Sequence, residues 1–328
     1  MEQADTFTRL FVTPLYQFTQ PGSRTFLLYL ATSLLIATII HVRDAANGAE
    51  SRRPLSFLFP QHLYTHPSAV VDYVFFFTNT ILYAVIMVPL GALGPFISNS
   101  LSSLLHSIST PSVLTEISGL TATIMFTLAL ALLSDFGSFV AHWWMHRNPL
   151  LWEFHKVHHS AEVLTPITVY RMHPLDDIIT AGIIGGITGT FDALTRFYVA
   201  PGLSPYTIYG VGIISFLFFV TGYHLRHSHV WLSYGPLLSK ILISPAQHQI
   251  HHSKAKRHWN KNYGFTFAIW DFLFGTLYVP KEREEIDFGI GNNEEHEYRS
   301  TKNLYLLPFK KALRLATTNS RKEPSKKP

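Results

Sequence analysis

The sequence predicts an all-α fold: a polytopic transmembrane helical bundle, capped on one face by helices that carry a histidine-rich two-metal site. Three observations predict it. The 328 residues are 47% hydrophobic and only 14% charged, against about 25% charged in soluble domains, and mean hydropathy is positive. Several apolar runs approach the length of about 20 residues that a helix needs to cross hydrocarbon. Histidines recur in tight sets, His142/His146, His155/His158/His159 and His248/His251/His252, at the three- and four-residue spacings that share a helical face.

The chain divides into an N-terminal membrane region (1–118), a histidine-bearing region (119–280) and a polar tail (281–328), whose basic end 321–328 reads as disordered. Residues 1–24 lack the pattern of a cleaved signal peptide. The first apolar run, 25–42, is followed by Arg43, Arg52 and Arg53; the second runs from 70 to 93 and carries Asn79 and Pro89. Residues 94–118 contain no Lys or Arg, so the positive-inside bias puts them on the non-cytoplasmic side. The third run, 120–140, then returns to the cytoplasm and delivers His142 and His146. A fourth, 178–193, carries Gly182/Gly186 and Gly185/Gly189, small-residue pairs that let helices approach closely. With a fifth, 206–222, it suggests a hairpin that dips into the bilayer. All histidine sets therefore fall on the cytoplasmic side, near the lipid interface.

A lone histidine is usually a packed or surface residue, but three sets in helical register, two of them HxxHH, are hard to explain by packing. Each set is expected to present its rings in one direction. Neutral imidazole is the commonest nitrogen ligand for transition metals, and eight rings exceed what one four- to six-coordinate ion uses, so two ions are expected. With no cysteine in the chain, disulfides, iron–sulfur clusters, thiolate haem and cysteine zinc sites are excluded. The net charge of +5 comes from scattered bases that flank apolar runs, which fits membrane topology and argues for no nucleic-acid partner. Imidazole ligation leaves the metal open. Iron with free positions would activate dioxygen, and zinc would polarise a carbonyl or activate water. Asp135, seven residues before His142, and Glu162 and Asp176 are candidates to orient the rings, because a ligating histidine usually donates its other N–H to a carboxylate or carbonyl. Asp271 reads as an anchor for the turn 270–275. His62 and His66 read as interfacial surface residues.

The residues His142-x3-His146, His155-x2-His158-His159 and His248-x2-His251-His252 resemble the histidine boxes of the fatty acid hydroxylase/sterol desaturase superfamily. Asp135-Phe136, Arg171-x-His173-Pro174, Ser244-Pro245, Asn262-Tyr263-Gly264 and Trp270-Asp271-x2-Phe274-Gly275 also look like the family, so the resemblance covers roughly 120–280. It implies a membrane-embedded non-haem di-iron enzyme that uses O2 and an external electron donor of cytochrome or ferredoxin type to hydroxylate or desaturate a membrane lipid. It further implies a ligand between the second and third boxes, best fitted by His227 with His224 as companion, and a supporting role for His173. Two competing readings stand beside it: a zinc-dependent membrane hydrolase using the same rings, and a non-catalytic metal carrier, which would need ionisable groups inside several spans.

Overall fold

A computed structural model describes residues 12, 14–110, 119–200, 202–291 and 293–320. The expected disordered end, 321–328, lies outside them. The regular secondary structure of the described residues is helical apart from one two-stranded antiparallel hairpin, Thr207–Ile208 paired with Val211–Gly212.

Nine helices build the frame that holds the site. Helix α1 is Leu27–Ala46, α2 Pro67–Gly91, α3 Leu93–Ile108 and α4 Gly119–Arg147. Then follow α5 (Pro149–His159), α6 (Pro174–Tyr198), α7 (Ile213–Val220), α8 (Pro245–His251) and α9 (Thr301–Ser320). Among the described residues α1, α4 and α6 are long and apolar enough to cross a membrane. Helix α2 has 25 residues, and at 1.5 Å per residue this gives about 37 Å, more than the hydrocarbon thickness. The fourth apolar run is thus a full-length helix rather than half of a shallow hairpin. The fifth, 206–222, is not a span: it consists of the β-hairpin and the eight-residue α7, about 12 Å long. Gly210, with φ +78°, makes the tight turn that interrupts it.

Of the two small-residue pairs on α6, one is used for packing. A side chain at Gly189 would collide with the Gly94 carbonyl, and Gly185 meets the Gly94 nitrogen, so α3 and α6 cross backbone to backbone. Gly182 and Gly186 meet nothing at that range.

The helix ends that carry chemistry gather on one face. Proline decides the geometry there. Helix α4 stops at Arg147 because Asn148 precedes Pro149 and is pushed out of the helical region. Asn148 then caps α5, its side chain accepting from the Leu150 and Leu151 amides, with Pro149 in the first turn. The chain reverses within two residues, which folds the second histidine box back on the first. Similarly, Ser244 and Gln247 form a capping box and Pro245 opens α8. The stretch expected to be a polar tail holds α9, which packs on α5 and α2; Leu304 lies in a core with Phe75, Val157 and Tyr298.

A buried ion pair locks this face together. Arg171 Nη1 lies 2.6 Å from Asp72 of α2, both side chains fully buried. The guanidinium also donates to the Val157 carbonyl, the Ser160 hydroxyl and the Tyr298 carbonyl. One side chain thereby ties α2, α5 and the turn before α9. Removing one partner of such a pair leaves a buried charge uncompensated, at a cost of about 3–5 kcal/mol. Arg171→Met and Asp72→Ala are therefore expected to lower the melting temperature of the detergent-solubilised protein sharply, as read by thermal unfolding. A melting curve within error of the parent would contradict this role.

Candidate metal centre

The three boxes and the turn Tyr223–His227 bring nine imidazoles into two adjoining clusters. His142, His146, His155, His159 and His251 form one, and His158, His227, His248 and His252 the other; within each, ring nitrogens lie within 4.8 Å of one another. The clusters touch through His159 and His252, whose ring centroids are 4.7 Å apart.

The HxxHH sets do not point in one direction, contrary to the sequence expectation. Each is split. His155 and His159 enter the first cluster and His158 the second, while His248 and His252 enter the second and His251 the first. The reason is helical arithmetic: at 3.6 residues per turn, adjacent residues diverge by about 100°, so HxxHH aims an i, i+4 pair at one point and the remaining ring at another.

Hydrogen bonds at Nδ1 turn the rings. His142 Nδ1 faces the Tyr263 carbonyl at 2.8 Å, and His251 Nδ1 the Lys261 carbonyl at 2.7 Å. His155 Nδ1 lies 2.5 Å from Asp176 Oδ2, and His158 Nδ1 is 3.3 Å from the Arg171 carbonyl. A carbonyl or carboxylate at Nδ1 fixes the proton there and leaves the Nε2 lone pair exposed. Accordingly the Nε2 atoms of all five rings in the first cluster are buried and have no partner. In the second cluster, Nε2 of His227, His248 and His252 stand 3.0–3.3 Å apart. An ion with metal–nitrogen bonds of about 2.0–2.1 Å keeps its ligand atoms about 3.0–3.4 Å apart, so the spacing fits a shared cation. Burial pushes His158, His159, His227, His248 and His252 well below the ordinary histidine range, and His251 down to about 3. These rings are neutral at physiological pH, as ligands must be.

A polar scaffold behind the rings holds the acceptors. Asp271 accepts from the amides of Tyr263 and Gly264 and from Thr276, so it fixes the loop whose Tyr263 carbonyl meets His142. This agrees with its reading as an anchor. Gly264 has no room for a side chain, since a Cβ would press on the Phe267 carbonyl and on Asp271. Gln249, inside the third box, donates to the carbonyls of Leu225, Ser228 and Val230 and so staples α8 to the segment bearing His227.

Several expected roles are corrected. Asp135 does not touch a histidine; it accepts from the Thr266 and Phe267 amides and from the Trp270 indole, and acts on the site through that loop. Glu162 pairs with Arg299 at 2.7 Å, away from the rings. His173 caps α6 by accepting from the Leu175 amide, and its Nε2 faces the Tyr305 carbonyl. His224 stands outside both clusters, with Nε2 2.7 Å from the Arg24 carbonyl. Asp176 is the acid that does reach a clustered ring.

Fold and site together define a class: a helical protein with apolar helices of membrane-spanning length and histidine clusters compatible with metal binding. Residues 127–276 match the fatty acid hydroxylase family model, so this segment carries a fatty acid hydroxylase domain. The chain is 34% identical over 170 residues to the ornithine lipid hydroxylase OlsE of Rhizobium tropici, covering 50% of this chain and 46% of that one. It is 29% identical over 156 residues to human alkylglycerol monooxygenase (48% and 31%), and 27% over 154 residues to the Delta(7)-sterol 5(6)-desaturase of Eremothecium gossypii (47% and 37%). The matched segment thus spans less than half the length of each of these three. No solved structure matches the chain.

Loss of a carboxylate that orients a metal-binding histidine costs about 10–100-fold in metal affinity. Asp176→Asn is therefore expected to give up bound metal to a competing chelator at about 10–100-fold lower chelator concentration than the parent. Unchanged retention would show that the Asp176–His155 contact does not set metal binding.

Proposed function

We propose that this protein is a membrane-bound non-haem di-iron oxygenase that hydroxylates or desaturates a C–H bond of a lipid, using O2 and electrons from an external donor. The observation that carries the proposal is the pair of clusters, one with five buried Nε2 atoms that have no protein partner and the other with three Nε2 atoms 3.0–3.3 Å from one another. His142, His146, His155, His159 and His251 would hold one ion, and His158, His227, His248 and His252 the other. Iron bound there would supply the activation of dioxygen that attack on an unactivated C–H bond requires. Hydroxylation balances as R–H plus O2, two electrons and two protons giving R–OH and water; desaturation removes two hydrogens and releases two waters.

The chain's own part is positional. Carbonyls 171, 261 and 263 and Asp176 hold four rings in one orientation. The ends of α1 and α4 and the starts of α2 and α6 lie at the same face, where a bilayer lipid would stand beside the clusters. We place that face on the cytoplasmic side, from the basic residues of the loops that join it. A cytochrome- or ferredoxin-type partner would deliver electrons there. The zinc-hydrolase reading has less support, because the curated relatives named above are a hydroxylase, a monooxygenase and a desaturase.

His251→Ala and His158→Ala strike different clusters. Each is expected to reduce bound iron from about two equivalents per chain and to abolish product, measured by elemental analysis and by lipid mass spectrometry under 18O2. A product heavier by one labelled oxygen identifies hydroxylation, and one lighter by two hydrogens identifies desaturation. Turnover that persists without oxygen would overturn the oxygenase reading in favour of hydrolysis.

A further inference from the structure

A second feature of the site points to the substrate. The Tyr223–His227 turn carries Arg226 immediately before the clustered His227. Its side chain is 2% exposed, and no carboxylate pairs with it among the described residues. Nη2 donates to the Phe265 carbonyl at 2.8 Å, while Nε is buried without a partner. The guanidinium instead sits among Tyr223, Phe218 and Phe265, 4.7–5.1 Å from their ring centroids. Cation–π contacts offset part of the cost of burying this charge. They leave unused the planar fork that makes arginine the residue for carboxylate and phosphate.

The surroundings say what the fork faces. Arg226 lines a cavity of about 70 Å³ between α4, α6 and the turn, whose wall also includes clustered rings from both groups, among them His142, His158 and His227. Arg24 lines the same cavity, donating to the Met172 sulfur at 3.6 Å and lying 5.9 Å from the Phe265 ring. The one carboxylate on the wall, Asp176, has an oxygen engaged by His155. Any cation bound by the clusters adds positive charge to a cavity already lined by two guanidinium groups. The volume admits a group of several heavy atoms.

We propose that this cavity binds the anionic group of an amphipathic substrate, a carboxylate or a phosphate ester, with Arg226 as its principal partner and Arg24 beside it. The inference rests on the oxygenase reading and deepens it: the substrate is an acidic lipid, and the carbon attacked lies near its polar end, because the anion and the clusters share one small space.

The test is anaerobic binding to the full-length protein in neutral phosphatidylcholine nanodiscs, by competition with radiolabelled palmitate, on iron-loaded and chelator-treated samples. The competitors are palmitate, hexadecyl phosphate, hexadecanol and inorganic phosphate. The two acids are expected to bind at least tenfold tighter than hexadecanol; Arg226→Gln removes this preference, Arg226→Lys keeps part of it, and Arg24→Gln weakens it. Where Arg226→Gln does not fold, as judged by thermal unfolding, Arg24→Gln decides. Equal binding of acid and alcohol to the parent overturns the proposal, as does a preference that survives both glutamine variants. So does inorganic phosphate competing as well as hexadecyl phosphate, which would make this a site for free anions. Iron bound with no acid preference sinks this inference alone, and acid preference without iron binding sinks the di-iron reading alone.

Discussion

A buried imidazole has two nitrogens, and each must find a partner. That constraint organises the structure. In four rings the protein supplies an oxygen to Nδ1, and in three of them, His142, His155 and His251, Nε2 is buried without a protein partner. A buried polar atom left unpaired costs about 1–3 kcal/mol. Five such nitrogens in one cluster, all on rings of the boxes, are a concentrated cost that packing does not relieve and a cation would. Much of the neighbouring polar structure then reads as support for the Nδ1 acceptors: Asp271 and Asp135 hold the loop 263–270, Arg171 holds the turn at its own carbonyl, and Gln249 holds α8 against the turn.

The site stands where the spans end. Apart from α4, the elements that present histidines are short helices and turns, which leave backbone carbonyls free to meet rings. Hydrocarbon does not tolerate such irregular backbone unless it is buried in protein, and here it is enclosed by α1, α2, α9 and their connections. The clustered rings are thereby largely withdrawn from solvent. The same dryness explains why Arg226 matters: a guanidinium beside neutral rings in a low-dielectric cavity acts on a nearby anion with little screening.

Much was legible beforehand. The periodic runs at 25–42, 70–93, 120–140 and 178–193 became helices because long apolar segments have few ways to satisfy their backbone in lipid. The run at 206–222 was misread, since apolar composition marks burial and cannot distinguish a span from a hairpin followed by a short helix; Gly210 was the available signal. Nine of the ten histidines chosen as ligands meet in the clusters. His224 does not, because its Nε2 is taken by the Arg24 carbonyl, a contact between residues far apart in the chain. Asp135 and Glu162 were proposed as partners for rings on helical spacing or proximity in sequence, and both find partners elsewhere; Asp176 reaches a ring across the fold.

The sequence by itself determined the apolar runs, the three histidine boxes and the two-ion expectation, because composition, spacing and the absence of cysteine are local properties of the chain. Only the tertiary structure decided how each HxxHH set divides between two clusters, which oxygens orient the rings, and that an arginine without a carboxylate partner shares their cavity. Those outcomes depend on which backbone oxygens and side chains from distant segments arrive beside each ring, and spacing along the chain carries no record of that.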